Sequence, residues 1–246
     1  MKTRPEDLAI INDRIFPAIL GRRLFLDRPL TVVEMGYAET AMFQALCSSL
    51  KPKLAIEVGT ETGGTLAIIA RHSTRAISID IDPGVKQRLA PQFKNVDFIT
   101  GSSHDALPLL LKQLASERIT PDFIFVDGDH TADGVRRDLE FILSIRPANP
   151  MFVLMHDSFN PGCRQGIRSA QWTRNAFCHF VELDYVPGIL HPNENCLRQM
   201  WGGLALAVFL PEPRRHQLEV NATHQMMFEA AFANSAHARA QVAVAS

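Results

Sequence analysis

The chain has 246 residues, 46% of them hydrophobic and 21% charged, with a formal net charge of −1. That length suits one large domain with a substantial core, and the balanced charge supplies no field to draw in nucleic acid or an anionic membrane surface. No apolar run approaches the roughly 20 residues needed to cross a bilayer, and Met1–Asp7 lacks the apolar stretch of a signal peptide. A cytoplasmic protein with no membrane partner is expected. Cys47, Cys163, Cys178 and Cys196 form no C-x-x-C pair and read as free thiols.

In chain order, residues 1–50 precede the first strand signal and read as an N-terminal helical cap, most clearly over 40–50. Short apolar, β-branched runs then follow at Leu54–Val58, Ala76–Ile79, Val96–Ile99, Phe123–Val126 and Met151–Met155. Runs this apolar predict strands covered on both faces, as in a parallel sheet. The segments between them carry helical spacing, as in Leu107, Leu110, Leu111 and Leu114, or Val135, Leu139, Ile142 and Leu143 before Pro147. Phe177–Val186 and Leu204–Leu210 predict two further strands, the second antiparallel, joined by a long loop with Pro187, Gly188, Pro192 and Asn193. Residues 212–246, rich in Ala, His and Gln, read as a helical or disordered tail. The alternation predicts an α/β fold, a doubly wound, mostly parallel, Rossmann-like sheet of seven strands spanning 51–211.

The first strand runs into Glu57-Val58-Gly59-Thr60-Glu61-Thr62-Gly63-Gly64-Thr65. Glycines at such a turn let backbone approach a ligand, and the helix that follows offers free N–H groups and a positive dipole end. The spacing is not the dinucleotide fingerprint G-x-G-x-x-G, which counts against a nicotinamide-dependent oxidoreductase. The second predicted strand ends at Asp80, where an α/β nucleotide fold places a carboxylate for ribose hydroxyls. Asp82, just before Pro83, reads as a helix cap; a cap is the alternative reading for Asp80 as well.

Glu57–Thr65, Ser78-Ile79-Asp80, Gly101-Ser102-Ser103-His104-Asp105 and Phe125-Val126-Asp127-Gly128-Asp129-His130 together resemble the successive motifs of class I S-adenosylmethionine-dependent methyltransferases. The branch they resemble joins catechol-type O-methyltransferases with bacterial sugar and macrolide O-methyltransferases. The resemblance runs from about Leu50 to Asn160. It implies that Glu57 orients the loop and the ammonium of the methionine part, that Gly59 and Gly63 admit the cofactor, and that Thr65 binds its carboxylate. It further implies that Asp80 holds the ribose and that Ser103 and His104 flank the adenine, with a surface helix position as the alternative for His104. The acceptor it implies is a hydroxyl of a small molecule: a sugar, a phenol or a natural product.

The fourth predicted strand ends in Asp127-Gly128-Asp129-His130 and the fifth in His156-Asp157-Ser158. If these strands are neighbours, Asp127 and Asp157 lie within reach of one oxygen-preferring cation such as Mg²⁺, and the related metal-dependent enzymes place acids at these strand ends. The chain departs from them with Ser158 where the catechol branch has Asn, and with His156 where the macrolide branch has an acid. A His156–Asp157 pair still suits a divalent ion, with a softer ligand set; otherwise Asp157 is a cap and His156 a hydrogen-bonded strand end. Asp129 reads as the cap of the helix starting near Thr131, or as a partner of His130. His130 occupies the position of the related enzymes' catalytic Lys or His. Imidazole titrates near neutrality, so His130 is either the base that takes the acceptor proton, with Asp127 beside it, or an orienting residue. Arg164, Arg168, Trp172 and Arg174 fall where acceptor pockets form in this fold and are candidates for an acidic acceptor. A homodimer and a non-catalytic binding module stay open, as does methylation of nitrogen or carbon.

Overall fold

The computed structural model describes residues 35–191 and 198–238. Residues 1–34 of the expected cap, loop residues Pro192 and Asn193, Cys196 and the end of the tail lie outside them. Helix α1 (Tyr37–Leu50) leads into five strands, β1 (Leu54–Val58), β2 (Arg75–Asp80), β3 (Val96–Thr100), β4 (Phe123–Val126) and β5 (Met151–His156). Between them run α2 (Gly64–His72), α3 (Pro83–Leu89), α4 (Ser103–Ser116) and α5 (Ala132–Ile142). Then come α6 (Pro161–Ser169), β6 (Cys178–Val186), β7 (Ile189–Leu190), β8 (Met200–Trp201), β9 (Leu204–Phe209), β10 (Val220–Asn221) and α7 (Gln225–Ala233).

The main sheet has eight strands in the order β10-β6-β9-β5-β4-β1-β2-β3. β9 runs antiparallel to both neighbours, β5 and β6, and the remaining pairs are parallel. The fold class is the expected one, with eight strands in place of seven. The extra strand is β10, whose Val220 and Asn221 pair with Val181 and Glu182. Two residues cannot display an alternation, so nothing in the sequence pattern marks it. The expected long loop after β6 also contains β7 and β8, which pair with each other as a separate ribbon.

Strand alternation divides the core between two faces. Leu54, Ile56, Val58, Ile124 and Val126 pack with α4, α5 and α6 residues such as Leu107, Leu139 and Ile167. Ala55, Phe123 and Phe125 pack on the other side with Phe43 and Cys47 of α1 and Leu66 and Ile69 of α2. Phe43 meets Phe123 and Phe125 edge-on, with ring centroids 5.9 and 4.8 Å apart, a preferred aromatic geometry. α1 is thereby anchored against the strands whose ends carry the chemistry.

Strand order reverses between β1 and β4, and in open α/β sheets ligands bind at that switch point, beyond the carboxyl ends of the strands. Those ends are tied together here: Asp127 N–H donates to Val58 O at 2.8 Å, Gly59 N–H to Ile79 O at 2.9 Å and Gly101 N–H to Asp80 O at 2.9 Å.

Candidate active site

The loop after β1 wraps around two carboxylates. Glu57 is fully buried; its Oε2 accepts from Thr60 Oγ1 at 2.7 Å, while its Oε1 has no partner among the described residues. Burial pushes this carboxyl up to about 8, against the opposing pull of the Thr65 and Thr60 hydroxyls. Asp80 accepts the Thr60 and Glu61 N–H groups through Oδ2 at 2.8 and 2.9 Å, and that of Asp82 through Oδ1 at 2.8 Å. It therefore organises the loop as well as facing the space the loop encloses. Asp82 caps α3 as expected, accepting from Gly84 N–H at 2.8 Å.

That space is a cleft of about 510 Å³, lined among others by Met35, Gly59, Thr65, Asp80, Ser103, His104, Asp127 and His130. Gly59 has φ +81°, and a Cβ there would stand 2.0 Å from Asp127 O, so only glycine allows β1 and β4 to close this edge. Gly63 is not among the lining residues. It is the N-cap of α2, where a Cβ would stand 2.6 Å from Leu89 Cδ1. Ser103 Oγ donates to Asp138 Oδ2 at 3.1 Å, and His104 Nε2 lies 3.8 Å from Asp138 Oδ1.

β4 and β5 are parallel neighbours, which brings Asp127, on the cleft wall, together with His156 and Asp157; one ligand atom of each lies within 4.8 Å of the others. His156 Nδ1 is 3.1 Å from Asp127 Oδ1 and 3.7 Å from Asp157 Oδ1. His130 Nε2 is 3.3 Å from Asp127 Oδ1 and 3.5 Å from Asp157 Oδ2. Burial alone would raise Asp127, but the His156 and His130 imidazoles hold it below the usual carboxylate range. Asp157 stays raised, because burial there outweighs His156. The hydrogen bond to Asp127 raises His130 against the effect of burial. For His156 burial works downward, and Asp127, Glu39 and Asp157 together carry it well above the ordinary imidazole value.

Three features of the site had no sequence signal. Glu39 of α1, buried, approaches His156 Nε2 through Oε1 at 3.1 Å. The Gly202–Gly203 turn, with φ +71° and +84°, aims consecutive N–H groups at Asp157 Oδ1 and Glu39 Oε1, both at 2.6 Å. Trp201 meets His130 edge-on at 5.8 Å.

Other expectations are corrected. Thr131, not Asp129, caps α5, accepting from Gly134 N–H at 3.0 Å; Asp129 accepts the Thr131 N–H at 2.8 Å. Arg164 does not face an acceptor space: it is buried and paired through both terminal nitrogens with Asp184 at 2.7 and 3.0 Å. Trp172 is likewise core, its Nε1–H donating to Ile167 O at 2.7 Å. Arg174 is exposed and lies 3.6 Å from Glu140.

A carboxylate-lined cleft at the switch point of such a sheet, with the His130 imidazole on its wall, fits a class I methyltransferase. The family profile described as rhamnosyl O-methyltransferase/CmcI matches residues 25–176, and the chain belongs to that family. It is an S-adenosylmethionine-dependent O-methyltransferase. Solved structures share the fold at low identity. The O-methyltransferase from Bacillus cereus in complex with SAH is 16% identical, with TM-score 0.54, covering 83% of this chain and 96% of that one. TomG from Streptomyces achromogenes, an O-methyltransferase involved in tomaymycin synthesis and solved with SAM, is 16% identical, with TM-score 0.53, covering 85% and 91%. No curated protein matches the chain. Among the described residues no helix is long and apolar enough to cross a membrane.

Proposed function

We propose that the acceptor is a sugar, phenol or natural-product hydroxyl, that Mg²⁺ or a similar cation assists the transfer, and that the enzyme works in the cytoplasm with residues 1–50 as a cap over 51–211. One observation supports this reading above the others. Thr65, Asp80, Ser103 and His104, suited to a sulfonium nucleoside, and Asp127 and His130, suited to proton transfer, line one cleft.

Glu57 fits the methionine ammonium because its buried Oε1 lacks a partner, and a buried carboxylate oxygen calls for one. Thr65, in the first turn of α2, is placed to bind the methionine carboxylate beside the helix N-terminus. Asp80 takes the ribose hydroxyls, while Ser103 and His104 flank the adenine. Gly59 lets the ends of β1 and β4 approach closely at the cleft wall, and Gly63 sets the start of α2. When bound, S-adenosylmethionine supplies a methyl group on a positively charged sulfur. His130, its Nε2–H directed at Asp127 Oδ1 at 3.3 Å, would take through its other ring nitrogen, Nδ1, the proton that the acceptor hydroxyl loses, and Asp127 orients the imidazole.

Asp127, Asp157 and His156 suit a divalent ion by donor type and spacing. Such a cation, when bound, lowers the acceptor hydroxyl's pKa.

The test pairs two variants with calorimetry. His130→Ala should lower turnover by roughly 10²- to 10⁴-fold while S-adenosylhomocysteine binds as to wild type, and Asp80→Ala should weaken that binding. Equal losses of cofactor affinity in both variants would refute the division of roles. Turnover that survives EDTA would remove the cation from the reading.

A further inference from the structure

Glu39 lies 117 residues from His156 in sequence, yet its carboxylate is built into the catalytic centre. Oε2 accepts the Gly36 N–H at 2.7 Å, closing the first turn of α1. That contact alone would make Glu39 an ordinary helix-start residue. Oε1, however, turns the other way, taking the Gly203 N–H at 2.6 Å and facing His156 Nε2 at 3.1 Å. Burying a carboxylate is costly unless its oxygens are bonded, and half of this one's bonding is spent on the site rather than on the helix.

A neutral imidazole carries one N–H, and its location is set by what the other nitrogen meets. A carboxylate oxygen accepts, so Glu39 holds a hydrogen on Nε2. Nδ1 faces Asp127 Oδ1 at 3.1 Å and Asp157 Oδ1 at 3.7 Å and donates to Asp127 when no cation is bound. A cation between the two carboxylates would take the place of the Nδ1 hydrogen, while Glu39 would keep the one on Nε2. The arrangement is a carboxylate–histidine–cation relay, in which the outer carboxylate orients the ligand and raises its basicity.

We propose that Glu39 is a positioning residue that fixes His156 with Nε2–H toward α1 and Nδ1 toward the cation position between Asp127 and Asp157. The proposal rests on the cation reading above, so its test is arranged to separate the two. Metal-stripped full-length protein is titrated with Co²⁺ alone, whose visible absorption reports nitrogen ligation, and the protonation of His156 is followed by ¹⁵N NMR without metal.

Glu39→Gln should weaken Co²⁺ binding roughly 10- to 100-fold and alter its spectrum, with S-adenosylhomocysteine affinity retained as the control for folding. Glu39→Asp should recover part of the loss. In the metal-free wild type Nε2 should carry a hydrogen bonded to Glu39, and Glu39→Gln should shift the Nε2 resonance. Wild-type Co²⁺ affinity and spectrum in Glu39→Gln would overturn the proposal, as would a wild-type Nε2 without hydrogen. A wild type that binds no Co²⁺ would refute the cation reading alone, and the Nε2 shift between wild type and Glu39→Gln would then decide whether Glu39 holds the ring. Should Glu39→Gln fail to fold, the wild-type NMR result and Glu39→Asp still decide the question.

Discussion

Binding of the cofactor should release a proton from Glu57, and the size of the effect follows from its burial. The carboxyl is raised from 4.5 to about 8, which at about 1.4 kcal/mol per pH unit amounts to about 5 kcal/mol disfavouring the ionised form. The sign follows from linkage: a carboxyl raised in the folded state contributes stability that is fully present below pH 4.5 and is lost as pH climbs toward 8. At pH 7 about nine-tenths of the empty protein holds Glu57 protonated. An ammonium brought to its unpaired Oε1 favours the carboxylate, so S-adenosylhomocysteine binding at pH 7 should release close to one proton. Affinity should rise nearly tenfold per pH unit up to about 8. Calorimetry in buffers of different ionisation enthalpy measures the release directly. Glu57→Gln should abolish it, weaken binding, and stabilise the empty protein at pH 8 by up to about 5 kcal/mol. Affinity that does not change between pH 6 and 8, with no buffer dependence, would refute the argument.

Two further perturbations probe the frame. Gly59→Ala places a Cβ 2.0 Å from Asp127 O at a φ of +81°; the backbone conformation alone costs about 1–2 kcal/mol, and the displaced strand end should lower cofactor affinity and turnover together, as calorimetry and a methyl-transfer assay would show. Arg164→Ala leaves Asp184 buried without its cation and should cost about 3–5 kcal/mol in denaturant unfolding. It should also loosen α7, because Arg164 donates to Gln225 at 3.0 Å and lies 4.3 Å from the Phe228 ring centroid. Faster hydrogen exchange in α7 than in α4 would report this.

Much of the site was legible because a doubly wound sheet turns local order into proximity. Glu57, Asp80, Asp127 and Asp157 sit at or just beyond the ends of β1, β2, β4 and β5, and parallel pairing gathers those ends on one edge. A reader of the chain needs only the strands to know the carboxylates meet. Glu39 had no such grammar. It stands three residues after Gly36, where a capping box would need Ser or Thr, so even its helix-start role is unmarked. Its approach to His156 depends on how α1 docks on Phe123 and Phe125, which no local pattern states. Arg164 and Trp172 were misplaced for a related reason. Arg164 shares the buried side of α6 with Cys163 and Ile167, and Asp184, its partner, arrives from β6. An arginine's burial is decided by such a partner rather than by its neighbours in sequence.

The same docking explains why the helical segment ahead of β1 is more than a cover. Gly202 and Gly203 are consecutive, and their N–H groups bind Asp157 and Glu39 respectively. Neither N–H can shift far without dragging the other, because the two residues are joined by one planar peptide unit. The separation between a carboxylate on β5's exit and one on α1 is therefore set by a single peptide unit of the β8–β9 turn. His156 is held at one ring nitrogen by Glu39 and at the other by Asp127. Any displacement of α1 must then move the imidazole, so packing of the N-terminal segment and geometry at the reacting centre are not independent variables in this enzyme.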